Sequence, residues 1–151
     1  MNLAFTVNSF KNTEDSISLV RVLNQLAEEN NAVSSFFIEW GNSLETKCFG
    51  NFLISDLFHF RGICISTNLE TLKFALRAPK IKQNYLYLST LEWTNSGNNS
   101  SYEEMWDLYC DDRVNLIVKS PEDFGYVKNC WKEPVAVWPS FEKDLILKLG
   151  E

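Results

Sequence analysis

Short apolar runs alternate along this chain with segments of helical periodicity, and that alternation limits the folds open to it. "LAFTV" at 3–7, "SSFFIEW" at 34–40, "GICIST" at 62–67, "NYLYLSTL" at 84–91, "VNLIV" at 114–118 and "PVAVW" at 134–138 read as strands. Between them, residues 14–30 place Ile17, Val20, Leu23, Leu26 and Ala27 on one side of a helix, and 68–77 align Leu69, Leu72 and Leu76. Residues 102–111, 121–132 and 141–149 read as further helices, while 42–50 and 94–101 read as loops. The run "NFLISDLFHF" at 51–60 fits either a short strand or a helical turn. Three helix starts carry a capping-box form: Thr67 with Glu70, Ser101 with Glu104, and Ser120 with Asp123, the last followed by Pro121.

Strands that alternate with helices of this length need crossover connections, and crossovers are right-handed and make parallel pairs. The sequence therefore predicts one Rossmann-like, three-layer α/β domain over residues 1–151, with a mainly parallel sheet of about six strands. A length of 151 residues is enough for one core.

Charge and composition narrow the partners. The net charge is −6, and the only dense basic stretch is "RAPKIK" at 77–82, so tracking a nucleic-acid backbone is disfavoured. The start "MNLAFTVNSFKN" lacks the basic and apolar regions of a signal peptide, and no window has the length of a membrane span. A cytoplasmic protein with no membrane role is expected. The cysteines at 48, 64, 110 and 130 never form CxxC, which predicts reduced, mostly buried thiols and no metal site. Asn98 and Asn99 begin glycosylation sequons that carry no weight without a secretory signal.

In an open parallel sheet, ligands bind beyond the carboxyl ends of the strands, where the strand order reverses. That rule selects Asn8, Ser9 and Phe10 after the first strand, Glu39 and Trp40 after the second, and Ser66, Thr67 and Asn68 after "GICI". It then selects Ser89, Thr90, Glu92 and Trp93, next Lys119 and Ser120, and finally Trp138, Pro139 and Ser140. Thr67, Ser120 and Ser140 read more readily as helix caps than as ligand groups, and Glu92 with Trp93 reads equally as a strand end with a packed indole. The aromatic stripe of 102–111 and 121–132 reads as core. Glu92 and the lone His59 are the candidate general bases, His59 with a structural role as its alternative. The first turn, "VNSFKNTEDS", has neither a G-x-G-x-x-G nor a Walker lysine loop, and no G-x-S-x-G elbow occurs. Dinucleotide cofactors, ATP and serine-hydrolase chemistry are thus not expected, and no cofactor is assigned.

Two stretches, "CISTNLETLKFALRAPKIKQNYLYLSTLEW" at 64–93 and "LIVKSPEDFGYVKNCWKEPVAVWPSFE" at 116–142, resemble glycosyltransferases of the two-domain GT-B type, in particular glycosyltransferase-like proteins of tailed phages. The resemblance implies a single Rossmann-like half that binds a sugar nucleotide or an acceptor and needs a second half for turnover. The hydroxyls of Ser66, Thr67, Ser89 and Thr90 would then read the sugar, with Glu92 or His59 as base. The alternative is a phage-encoded, non-catalytic protein that keeps the fold and binds a host protein or itself.

Overall fold

The computed structural model describes residues 1–29, 31–41, 45–94 and 101–150, with the side chain of Glu92 excluded. The expected loop at 94–101, with its two sequons, lies almost wholly outside the described residues. Among the described residues, seven strands form one sheet in the order β3-β2-β1-β4-β5-β6-β7, every pair parallel. They are β1 (Asn2–Val7), β2 (Ala32–Phe37), β3 (Gly50–Leu53), β4 (Gly62–Ser66), β5 (Ile81–Leu88), β6 (Val114–Val118) and β7 (Ala136–Val137). The connecting helices are α1 (Glu14–Glu28), α2 (Leu69–Arg77), α3 (Tyr102–Tyr109), α4 (Pro121–Cys130) and α5 (Lys143–Leu147). The first six positions of this order are the Rossmann arrangement, as the strand–helix alternation predicts.

The two faces of the sheet have separate cores. On one, Leu3, Phe5, Val7, Tyr85 and Tyr87 meet Leu19, Leu23 and Leu26 of α1 and Ile146 of α5. On the other, Leu86, Leu88, Leu116 and Val118 meet Leu69 and Leu72 of α2, Met105 and Tyr109 of α3, and Val127 of α4. Each fully buried Leu or Phe contributes roughly 1.5–3 kcal/mol by removal from water, so the alternation of apolar residues along β5 fixes its register on both faces at once. No described helix is long and apolar enough to cross a membrane.

Several boundaries differ from the sequence reading. The ambiguous run 51–60 is both things in series: β3, then a 3₁₀ helix over Ile54–His59, which raises the strand count to seven. β5 begins at Ile81 and stops at Leu88, so Ser89 and Thr90 already turn away from the sheet. β7 shrinks to two residues because Pro134 and Pro139 bracket it, although Val135 N–H still donates to Leu116 O (2.8 Å) and Trp138 N–H to Val118 O (2.8 Å). Ser101 and Ser120 cap α3 and α4 as expected, accepting from Glu104 N–H and Asp123 N–H. Thr67 does not cap α2; Asn68 does, accepting from Thr71 N–H at 2.9 Å. Ser140 does not cap α5 either, since its hydroxyl donates to Glu142 Oε1 (3.1 Å) and Glu142 occupies the cap position. The aromatic stripe is only half core: Tyr109 is buried, but Tyr102 and Trp106 at the outer side of α3 are exposed. The thiols also depart from expectation. Cys64 lies in the sheet, and burial pushes its thiol up to about 12, but Cys48 and Cys130 are exposed because they sit in a surface loop and at the outer end of α4.

Candidate functional site

α1 crosses one face of the sheet and α2 the other, so the chain leaves β1 and β4 in opposite directions and a crevice opens between their carboxyl ends. The loop after β1 is held by β2: Ile38 N–H (3.0 Å) and Glu39 N–H (2.8 Å) both donate to Asn8 O. On the other side, Thr6 O accepts from Thr67 N–H (3.1 Å), Thr67 Oγ1 (3.0 Å) and, more distantly, Thr71 Oγ1 (3.4 Å). The result is a cleft of about 230 Å³ with Asn8, Ser9, Lys11, Thr67, Asn68 and Ser89 around its mouth. Val7, Leu19, Tyr87 and Phe141 line its apolar part, and Asp15 and Ser16 bring the first turn of α1 to its wall.

The structure brings five of the rim residues together, Asn8, Ser9, Thr67, Asn68 and Ser89, from the ends of three strands. The others lie elsewhere. Ser66 is fully buried, and its Oγ accepts from Thr6 Oγ1 at 2.9 Å, so it joins β1 to β4 beneath the rim. Trp40 is 79 % exposed with its ring against Phe37, outside the cleft lining. Thr90 is exposed past the end of β5, and Ser120 is occupied as the α4 cap. Trp93 packs edge-on to Tyr109 (5.9 Å) and beside Trp131 (5.5 Å) in an aromatic cluster between α3 and α4. His59 ends the 3₁₀ helix three residues before β4 begins, so it is exposed toward the amino ends of the strands, opposite the cleft. The side chain of Glu92 lies outside the described residues.

Residues that the strand-end rule does not select complete the site. Asp15, in the first turn of α1, accepts from Lys119 Nζ after β6 (3.4 Å to Oδ1), which ties the wall of the cleft to the far half of the sheet. Both groups are largely exposed, so this pair contributes at most about 1 kcal/mol and mainly sets position. Phe141 comes from the segment after β7 and stacks on Tyr87 (4.6 Å) and, edge-on, on Phe5 (6.1 Å). Tyr87 Oη donates to Trp138 O at 3.2 Å. The periodicity of α1 places Asp15 and Ser16 one turn ahead of Leu19, so their facing was readable; the approach of Phe141 was not.

The electrostatics argue against a diphosphate on α1. A helix N-terminus attracts anions through its free N–H groups and its dipole. Here Thr13 Oγ1 already accepts from Ser16 N–H (3.4 Å), and Glu14 and Asp15 fill the first turn with negative charge. The turn also contains no glycine, so its backbone cannot approach a ligand closely. What remains is a set of hydroxyl and amide groups beside an aromatic floor, a chemistry suited to a ligand rich in hydroxyl groups. No family model, curated protein or solved structure matches this chain.

Tyr87 reports on the floor of the cleft. Burial, and secondarily the charge of Asp15, push its phenol from an ordinary 10.0 up to about 12. Because the folded value is the higher one, the associated stability is present below pH 10.0 and is lost as the pH rises to about 12. Spectrophotometric titration should therefore show the Tyr87 phenol ionising late, together with base unfolding. Tyr87→Phe should reduce the late-ionising absorbance by one phenol, leaving the part due to Tyr85, which burial also raises. A late absorbance undiminished by this substitution would place the protected phenol elsewhere.

Proposed function

We propose that this chain binds a polyhydroxylated ligand of the glycosyltransferase kind at the β1/β4 cleft, a sugar acceptor or a sugar nucleotide with its diphosphate turned away from the α1 N-terminus, as a binding half without complete catalytic machinery. The observation that carries this reading is the convergence of Asn8, Ser9, Thr67, Asn68 and Ser89 around the apolar floor of Tyr87 and Phe141. Hydroxyl and amide groups that converge on one cleft suit a ligand rich in hydroxyl groups, while Tyr87 and Phe141, 2 % and 6 % exposed, close the base of the cleft. The likeness of residues 64–93 and 116–142 to GT-B enzymes points the same way. Asp15 is the one carboxylate among the described lining residues, and it is engaged by Lys119, so no disengaged general base is found there.

Calorimetric titration with nucleoside-diphosphate sugars and with free hexoses tests the proposal. Asn8→Ala and Lys11→Ala alter exposed residues and should leave the melting temperature unchanged. Asn8→Ala should weaken any ligand about fivefold or more, the equivalent of one hydrogen bond at roughly 1 kcal/mol. Lys11→Ala should matter only for the phosphorylated ligands, and less so at high salt. Absence of heat with every ligand, together with unmoved amide resonances at 8–11, 67–68 and 89, would refute the reading.

A second reading, a phage-encoded protein that keeps the fold and binds a protein partner, is favoured by the exposed rings of Tyr102, Trp106 and Tyr126 on α3 and α4. Exposed aromatics are enriched at protein interfaces. Under that reading, partner capture would survive Asn8→Ala and fail with Trp106→Ala.

A further inference from the structure

The two edges of the sheet are built differently. β7 is two residues long and lies between Pro134 and Pro139, which cannot donate to another strand. β3, at the opposite edge, has the sequence "GNFL", with no proline and no charge. Among the described residues, no backbone hydrogen bond reaches Gly50–Leu53 from the side away from β2. Apolar side chains flank this bare edge on both faces. Phe52 (45 % exposed) lies on the face of Phe36 and Leu53 (45 %) on the face of Phe37, and the 3₁₀ helix that follows β3 leaves Phe58 40 % exposed. The described residues just before β3 are tied to α1: Thr46 O accepts from Asn24 Nδ2, and Cys48 N–H donates to Asn24 Oδ1.

We infer that the β3 edge is a self-association surface, on which a second copy of this chain pairs its own β3 antiparallel across a twofold axis and extends the sheet. An unpaired row of N–H and C=O groups calls for an extended strand, and a twofold axis supplies one in the same conformation from an identical copy. The charge distribution selects the same surface. Residues 46–60 contain one Lys and one Asp, whereas residues 102–133 hold eight acids against four bases. Two copies meeting through α3 and α4 would thus bring their acid excesses together, and two meeting through β3 would not. The exposed parts of Phe52, Leu53 and Phe58 amount to roughly 250 Å² per copy, taking about 200 Å² for a large apolar side chain. That area, with the strand backbone, falls below an obligate interface and within the range of transient ones, so the dimer is reversible.

Sedimentation equilibrium over a dilution series down from about 200 µM tests this, a range suited to a reversible dimer. The wild-type mass should rise from 17.5 kDa toward twice that value with concentration. Leu53→Lys and Phe58→Glu should each weaken association at least about tenfold by placing a charge in the interface. Val135→Lys, at an exposed residue beside β7, should leave it unchanged. Circular dichroism establishes that each variant is folded. Hydrogen exchange on the wild type gives a readout that needs no variant: amides within 50–53 should exchange more slowly at high concentration. A mass of 17.5 kDa throughout the series overturns the inference. So does a dimer indifferent to both edge substitutions, or a dimer formed with no added protection at 50–53.

Discussion

Gly62→Ala should destabilise the protein by about 3 kcal/mol, out of a total that for domains of this kind is roughly 5–15 kcal/mol. Gly62 opens β4 with φ at +155°, a region that side-chain-bearing residues rarely enter. A Cβ there would stand 2.3 Å from Asn2 O and 2.8 Å from Asn2 Cβ. Neither contact is with the end of a flexible chain, so β1 and β4 must part or β4 must twist. The register of β4 against β5 already shifts between Gly62 and Ile63, so the irregularity and the glycine belong together. The damage would fall on the strand pair that defines the cleft. Urea unfolding measures the effect as a lower midpoint with an unchanged slope. Gly125→Ala is the matched control. Gly125 lies inside α4, and a Cβ added to it would meet nothing within 4 Å, so alanine there should stabilise by about 0.5–1 kcal/mol. Equal effects at the two glycines would mean that backbone conformation is not what Gly62 supplies.

Trp138→Ala should cost about 3–5 kcal/mol, as deletion of a large buried aromatic does. Trp138 is 2 % exposed, at the end of a strand too short to hold itself in place. Its indole packs near Tyr87 (6.3 Å), and its carbonyl receives the Tyr87 hydroxyl. Alanine retains the carbonyl but opens a cavity beside Tyr87, so the phenol, which burial raises, should titrate lower than in the wild type. The substitution thus carries two signatures, a lower unfolding midpoint and an earlier phenol. A lower midpoint with an unmoved phenol would mean that Trp138 steadies β7 and α5 without shaping the cleft. Trp138→Phe should recover most of both losses.

The element pattern was legible because most of these strands are buried on both faces and their helices on one, so apolar period and element type coincide. β1, β4 and β6 follow their apolar runs closely for this reason. β3 was not separable from its surroundings, since a four-residue strand running directly into a 3₁₀ helix contains too little of either pattern to tell them apart. The strand-end rule found the half of the site that comes from loops. It could not assign Ser66 correctly, because Thr6 and Ser66 are opposite each other in register, and a hydroxyl's use depends on what the neighbouring strand presents. Nor could it find Phe141, which enters the floor from beyond the last strand. Trp93 reads as a strand-end indole in sequence, yet its surroundings are set by Tyr109 and Trp131, residues distant along the chain.

The strand order has a consequence for how the molecule is made. β1 lies inside the sheet, yet it is synthesised before the other six strands and gains one neighbour, β2, well before the other. Its second edge is closed only by Gly62–Ser66, after the chain has passed through β3 and returned across the sheet. A chain growing from its N-terminus thus carries a three-stranded half-sheet whose β1 edge, "LAFTV", is apolar and unpaired until β4 arrives. Such an edge is where chaperones and aggregation compete for a nascent chain. The step that removes the hazard, docking of β4 on β1, is the same step that creates the cleft.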